Sequence, residues 1–378
     1  MQYILQVGTG GFNHKTTDYD KIEKRLKFCF DSIDVKSVLL GWAIDKEIYD
    51  KVYNLVKEYG KEVYLWLPVF SEISDVVKTE PTVDFKGNPM KSINVADGEN
   101  FNFVCPSSDF NVKQVEYIFK EYFKKENFDG VFVDKIRYAS FGNGFDAAMG
   151  CFCNNCRLIY EKNGIDVEKL ISMLNSDDRR FLLPTKFESC KYEFKDEIIN
   201  RFYKVKSEII TESIKKLCNY FRANGLKVAF DVLAPVASYL AGQDILELSK
   251  YAEFIKPMMY RCSEDPAGIR YEYRNIIEQI GEANANEFDR YFLTLFGTEN
   301  VLSDEFLVRQ YKMMRGASCS ISQGIEINKN AKMLRSNEQY VARNVKIAED
   351  YGFDSVVLSW DVTTAPIGHI ECLKGEKI

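Results

Sequence analysis

The chain has 378 residues, 46% of them apolar and 14% aromatic, with a formal net charge of -6. That length suits one α/β barrel of about 250 residues enlarged by loops. The acidic balance gives no electrostatic reason to bind nucleic acid or an anionic membrane. No apolar run approaches the roughly 18 residues of a membrane span. The start, Met1-Gln2-Tyr3-Ile4-Leu5-Gln6-Val7-Gly8, lacks the basic head and long apolar core of a secretory signal. A cytoplasmic protein is therefore expected, its ten cysteines serving as thiols or metal ligands rather than disulfides.

Short β-rich apolar runs alternate with amphipathic stretches of helical length, the pattern of repeated βα units. Strands are predicted at Tyr3–Val7, Ser37–Gly41, Glu62–Leu67, Gly130–Asp134, Lys227–Asp231, Glu253–Met259, Ser320–Ile327 and Ser355–Trp360. For the seventh strand, Arg290–Phe296 is a rival to Ser320–Ile327. Helices are predicted at Tyr19–Ser32, Lys46–Tyr59, Asn111–Lys125, Lys195–Ala223 and Glu338–Tyr351, from apolar residues spaced three and four apart. Gly60, Gly225 and Gly352 stand where glycine commonly stops a helix. With no linker in view, residues 1–378 read as a single (β/α)8 barrel. Two long insertions, around 71–107 and 139–194, follow strands three and four. Both leave the carboxyl ends of strands, where barrel enzymes place their sites.

The most specific signal is Cys151-Phe152-Cys153-Asn154-Asn155-Cys156 in the second insertion. Three thiols so close in sequence can converge on one tetrahedral ion without regular structure. Cys105, in the other insertion, is the natural fourth ligand, and Cys190 is its rival. The expected cofactor is a structural zinc ion, since four thiolates leave no open coordination position. The competing reading is a set of free thiols. Cys29, Cys218, Cys262, Cys319 and Cys372 are scattered and read as small buried hydrophobes. A Cys-His catalytic pair would have to draw on His14 or His369, the two histidines in the chain.

A lone Cys-Pro in the third βα loop, followed about fifty residues later by Cys-x-Cys-x-x-Cys, resembles the zinc site of glycoside hydrolase family 42 β-galactosidases. The phrase Phe128-Asp129-Gly130-Val131-Phe132-Val133-Asp134-Lys135-Ile136-Arg137-Tyr138 resembles the fourth strand of uncharacterised glycoside-hydrolase-like barrels. Phe254-Ile255-Lys256-Pro257-Met258-Met259-Tyr260 is similar to their sixth strand. These resemblances imply a barrel that cleaves a glycosidic bond in a small oligosaccharide or glycoconjugate. One departure limits the transfer. Family 42 enzymes carry an Asn-Glu acid/base at the end of strand four, where this chain has Asp134-Lys135, so their catalytic pair does not carry over.

Such chemistry needs two carboxyl groups from different strand ends, one protonated and one ionised. Asp134, Asp231, Glu326 and Asp361 each end an apolar run at the carboxyl end of a predicted strand, where a buried carboxylate is costly without a partner or a purpose. Asp134 ranks first, because it follows a fully apolar strand and stands beside two cations; ion pairing with Lys135 or Arg137 is the competing structural reading. Glu264 and Asp265, past strand six, are further candidates. Trp42 and Trp360, at strand ends, could stack on sugar rings, with Tyr138 and Tyr260 as companions. Trp66, inside a strand, reads as core. Arg137 could bind a substrate carboxylate. Gly8-Thr9-Gly10-Gly11-Phe12 lacks dinucleotide-fingerprint spacing and reads as a close-approach loop lining the cleft. Scarce histidine argues against a catalytic metal. The alternatives are another sugar-active barrel, such as an isomerase or a lysine-dependent aldolase using Lys135, and a non-catalytic carbohydrate-binding barrel.

Overall fold

Eight strand positions, each buried along most of its length, pair in parallel and in sequence order, and the last closes on the first. The strands are Gln2–Gly8, Val35–Gly41, Glu62–Pro68, Gly130–Asp134, Lys227–Leu233, Phe254–Met258, Gln323–Glu326 and Ser355–Ser359. Closure is explicit in the register, where Gln2 lies opposite Ser355 and Leu5 opposite Leu358. This is the (β/α)8 barrel expected from the alternating pattern. In the computed structural model, residues 1–90, 93–94, 100–281, 284–330 and 334–374 are described. No helix among them is long and apolar enough to cross a membrane.

The seventh strand is the least regular. Its first part, Ser320–Ile321, pairs with strand six, and Gln323–Glu326 pairs with strand eight. The rival segment Arg290–Phe296 belongs instead to the helix Ala285–Phe296, which buries Phe288, Phe292 and Phe296 and ends on Gly297 in a left-handed conformation. Those three rings recur every fourth residue, a helical period that the β-favouring composition of the segment disguises.

The helices start where side chains can satisfy their first amide groups. Asp18 caps Tyr19–Ser32, Asp45 caps Lys46–Glu58, Ser108 caps Asp109–Tyr122, Asp196 caps Glu197–Ala223 and Asn337 caps Glu338–Tyr351.

Inside the barrel, Phe132 of strand four stacks on Phe254 of strand six with centroids 6.1 Å apart. Those strands are not neighbours, so the contact crosses the lumen. Tyr64 of strand three meets the same Phe254 edge-on at 5.7 Å. Further toward the carboxyl ends the filling changes from aromatic to polar. Gln6, Asp231 and Lys256 lie there, each no more than 2% exposed.

The two insertions fold against each other over the barrel mouth. Phe101 and Phe103 of the first form a small apolar cluster with Ala139, joined by Met90 and Ala147. The amide of Phe152 donates to the carbonyl of Val83 at 2.8 Å, tying the second insertion to the first. The second insertion holds the helices Asn154–Lys162 and Val167–Leu174 and the hairpin Pro184–Glu188 with Lys191–Phe194.

Candidate active site and thiol cluster

The four thiols of Cys105, Cys151, Cys153 and Cys156 have sulfurs all within 4.8 Å of one another. Cys105 Sγ is 3.6 Å from both Cys153 Sγ and Cys156 Sγ. Four sulfurs about 2.3 Å from one tetrahedral ion would be about 3.8 Å apart, so the set fits a single ion of that size. Cys190 stands outside the group, at the turn of the hairpin Pro184–Glu188/Lys191–Phe194. Chain separation is overcome by hydrogen bonds: the Cys105 amide donates to the Glu80 carbonyl within the first insertion, and the Val83 amide donates across to Cys151 Sγ at 3.3 Å. Ser107 Oγ lies 3.1 Å from Cys105 Sγ and 3.2 Å from Cys156 Sγ, where its hydroxyl can donate to a thiolate. Lys206 is buried behind the cluster. Its ammonium donates to the Ala148 carbonyl at 2.6 Å, and burial pushes its pKa down to about 7.

The carboxylates gather at the mouth of the barrel, and each is held differently. Asp134, 7% exposed, accepts from Trp66 Nε1 at 2.9 Å and from the Lys135 amide. The Lys135 ammonium pairs with Glu72 at 2.7 Å, and both residues are buried. Both also have positive φ, 54° for Lys135 and 65° for Glu72, a conformation that costs energy in a non-glycine residue. The Lys135 ammonium lies 4.5 Å from the Phe101 ring centre and 5.2 Å from that of Trp42.

Asp231 is on strand five, opposite Lys256 in the register. Its Oδ2 accepts from Lys256 Nζ at 2.8 Å, and the same ammonium donates to Gln6 Oε1 across the lumen at 3.2 Å. Asp231 Oδ1 has no hydrogen-bond partner among the described residues. Burial pushes the Asp231 carboxyl up to about 7; the Lys256 charge opposes this rise and the Asp134 charge adds to it.

Glu326, at the end of strand seven, is fully buried. One oxygen accepts from the Cys262 amide at 2.7 Å and the other from the Tyr340 hydroxyl. Burial pushes its pKa up, against those two donors. Asp361 follows strand eight. It accepts from the Gly8 amide at 3.3 Å, from the Thr363 amide at 3.0 Å and hydroxyl at 2.6 Å, and from the Thr364 hydroxyl at 3.1 Å. Glu264 pairs with Arg270 and Arg274 at the surface.

The aromatic candidates divide. Trp360 is partly exposed and meets Tyr260 edge-on at 5.7 Å. Trp42 is only 4% exposed and packs edge-on against Trp66 at 4.7 Å. Tyr138 lies toward the thiol cluster, with its ring 4.9 Å from Lys206 Nζ. Arg137 is buried over Phe103 at 4.9 Å and donates to the Tyr138 carbonyl. The glycine-rich segment forms a tight hairpin in which Gly10–Gly11 pairs with His14–Lys15. A Cβ on Gly10, at φ +107°, would come within 1.9 Å of the His14 carbonyl oxygen.

Two buried residues at this mouth escape a reading of sequence alone. Lys256 falls inside an apolar strand, Phe254–Met258, and Glu72 inside a loop. The only local sign of Lys256 is a cation breaking an apolar run, and nothing local marks Glu72.

Comparison with known proteins bears on the fold. No protein-family model matches the chain, and no curated protein matches it in sequence. Among solved structures it is similar to the glycoside hydrolase domain of PgaB (BpsB) from Bordetella bronchiseptica, with TM-score 0.56 and 12% identity over 99% of each chain. It is also similar to the catalytic domain of β-amylase from Paenibacillus polymyxa, with TM-score 0.53 and 10% identity over 97% of this chain and 94% of that one. A third is α-L-fucosidase isoenzyme 2 from Paenibacillus thiaminolyticus, with TM-score 0.53 and 10% identity over 99% of this chain and 48% of that one. The chain thus shares the closed parallel barrel of glycoside hydrolases. At such identities the likeness is one of fold, and function rests on the site.

Proposed function

We propose that the chain is an intracellular glycoside hydrolase acting on a small oligosaccharide or glycoconjugate. Asp134 serves as nucleophile or charge stabiliser and Asp231 as the acid. The observation that carries this reading is the pair of carboxyls on neighbouring strands, one of them pushed up to about 7 by burial and the charge of the other. Glycosidic cleavage requires one carboxyl that holds its proton beside another that is ionised. The two donors on Asp134 suit a group that is negative during the reaction. Glu326, held by the Cys262 amide and the Tyr340 hydroxyl, and Asp361, held by Gly8, Thr363 and Thr364, are assigned to shaping the mouth. Trp360 supplies an apolar face for a sugar ring, and the fold neighbours are themselves glycoside hydrolases.

The thiol cluster is assigned a zinc ion held by Cys105, Cys151, Cys153 and Cys156. Bound there, zinc would pin the two insertions together and supply no catalysis, since its four positions are filled. Ser107 and the Val83 amide would stabilise the thiolates.

The test is a panel of aryl glycosides and oligosaccharides with the wild type, Asp134→Asn and Asp231→Asn. The wild type should turn over at least one substrate, and each variant should lose about 10³-fold or more in kcat with the fold intact. Full activity in Asp134→Asn would sink the assignment. The near-complete burial of Asp231 favours one other reading, a carbohydrate-binding barrel without turnover. In that case sugars raise the melting temperature of wild type and Asp134→Asn alike, and nothing is hydrolysed.

A further inference from the structure

Lysine is almost never fully buried without a partner, because removing an ammonium from water is costly. Lys256 is 0% exposed in the lumen of the barrel. Its surroundings are built to keep it there. The ammonium is held on one side by Asp231 Oδ2 at 2.8 Å and on the other by Gln6 Oε1 at 3.2 Å. It lies 5.2 Å from the ring centre of Tyr260 and 5.7 Å from that of Phe132. Its stem lies against strand seven at Gly324, where a Cβ would come within 2.7 Å of Lys256 Cε. Glycine there lets the side chain reach the lumen. Four strands, the first, fifth, sixth and seventh, thus combine to place one charge beside one carboxyl oxygen.

That placement leaves the carboxyl asymmetric. Oδ2 is anchored, while Oδ1 and the nearby Gln6 Nε2 have no hydrogen-bond partner among the described residues. The charged and titratable groups acting on Asp231 are Lys256 on strand six, Asp134 at the end of strand four, Arg137 just beyond it and Tyr260 after strand six. Among them, Lys256 is the cation in direct contact.

We propose that Lys256, braced by Gln6, is a positioning residue for Asp231: it fixes one carboxyl oxygen and leaves the other to the reacting group. This rests on the assignment of Asp231 as the acid. The ammonium favours the ionised form of Asp231, so it also sets the pH at which the acid is spent.

The experiment compares wild type with Lys256→Met, Lys256→Arg and Gln6→Leu on whichever aryl glycoside is turned over. Lys256→Met should lower kcat on the order of 10²-fold with KM changed by less than about threefold. It should also move the alkaline limb of the rate profile upward by about one pH unit. Lys256→Arg should restore the limb, and Gln6→Leu should shift it in the same direction as Lys256→Met but less. An unmoved limb in a folded Lys256→Met protein overturns the proposal.

If the wild type hydrolyses nothing, the hydrolase reading fails, and a second measurement still decides the pairing. Denaturant unfolding of wild type, Lys256→Met, Asp231→Asn and the double variant is compared at about pH 5 and about pH 8. The cost of Lys256→Met should be larger at the higher pH and should vanish in the Asp231→Asn background. Equal costs in both backgrounds would overturn the pairing. Should Lys256→Met not fold, Lys256→Arg and Gln6→Leu carry both arms.

Discussion

The thiol cluster and the carboxylate mouth lie on the same side of the barrel, yet they are assembled in opposite ways. Three of the four thiols come from one short stretch, Cys151, Cys153 and Cys156, and hydrogen bonds between the insertions at Val83 bring in the fourth. The four carboxylates come from four strands spread from Asp134 to Asp361, at or just past the end of three and two residues short of it on the fifth, which runs on to Leu233. No two are near in sequence, and only closure of the barrel brings them to one rim. The first region has four like groups with one shared purpose. The second has like groups made different by their surroundings: an indole and an amide on Asp134, a buried ammonium on Asp231, an amide and a phenol on Glu326, and hydroxyls on Asp361. A metal site can be written locally because the ion itself gathers the ligands. A catalytic pair has to be written in tertiary structure, because its members must be close and unlike.

If the two regions are independent, they can be broken separately. The largest effect is expected at the thiols. Removing the metal, or Cys156→Ser, should take bound zinc from about one per chain to near zero and lower the melting temperature on the order of 10 °C. Turnover by the remaining folded protein should stay within about twofold. Atomic absorption with a calorimetric scan checks this, and a loss of kcat with Tm unchanged would mean that the cluster is part of the catalytic machinery.

Tyr340→Phe comes next. It deprives one fully buried oxygen of Glu326 of its donor, and leaving a buried carboxyl short of a partner should cost about 1–3 kcal/mol. Denaturant unfolding would show it, with zinc content unaffected. No change in stability would mean that the phenol contributes nothing to the fold.

The pH dependence separates the regions further. Asp231 and Glu326 both have their pKa pushed up in the folded state, Asp231 to about 7. Such groups favour the fold when protonated. Their contribution is present below the unfolded value, about 4, and for Asp231 it is lost as pH rises through about 7. Asp231→Asn should therefore flatten the stability profile of the metal-loaded protein between about pH 4 and about pH 7. An identical slope in wild type and variant would refute the shift.

The smallest effect is expected from Trp66→Phe, which keeps most of the ring packing and removes the donor to Asp134. Activity should fall about tenfold, chiefly in kcat, with stability changed by roughly 1 kcal/mol. A change confined to KM would place the indole in substrate binding instead.

The barrel itself was legible in the residues. Alternating strand and helix periods, capping side chains and terminal glycines specify the units, and local patterns suffice because each unit buries its own apolar face. The single ambiguity, Arg290–Phe296, arose where large aromatics with high β propensity occupy a helical period. The three clustered cysteines were equally plain, because metal-ligand spacing is a short-range property. Choosing between Cys105 and Cys190 took tertiary structure, since the choice depends on how two insertions pair. So did Lys256 and Glu72, for burial of a charge is decided by what lies across the lumen or the loop and not by sequence neighbours. Sequence by itself determined that the chain builds eight βα units and carries acids at strand ends. Only the fold decided which of those acids has an ammonium beside it and a free oxygen, because that asymmetry is set by contacts between residues up to about 250 positions apart.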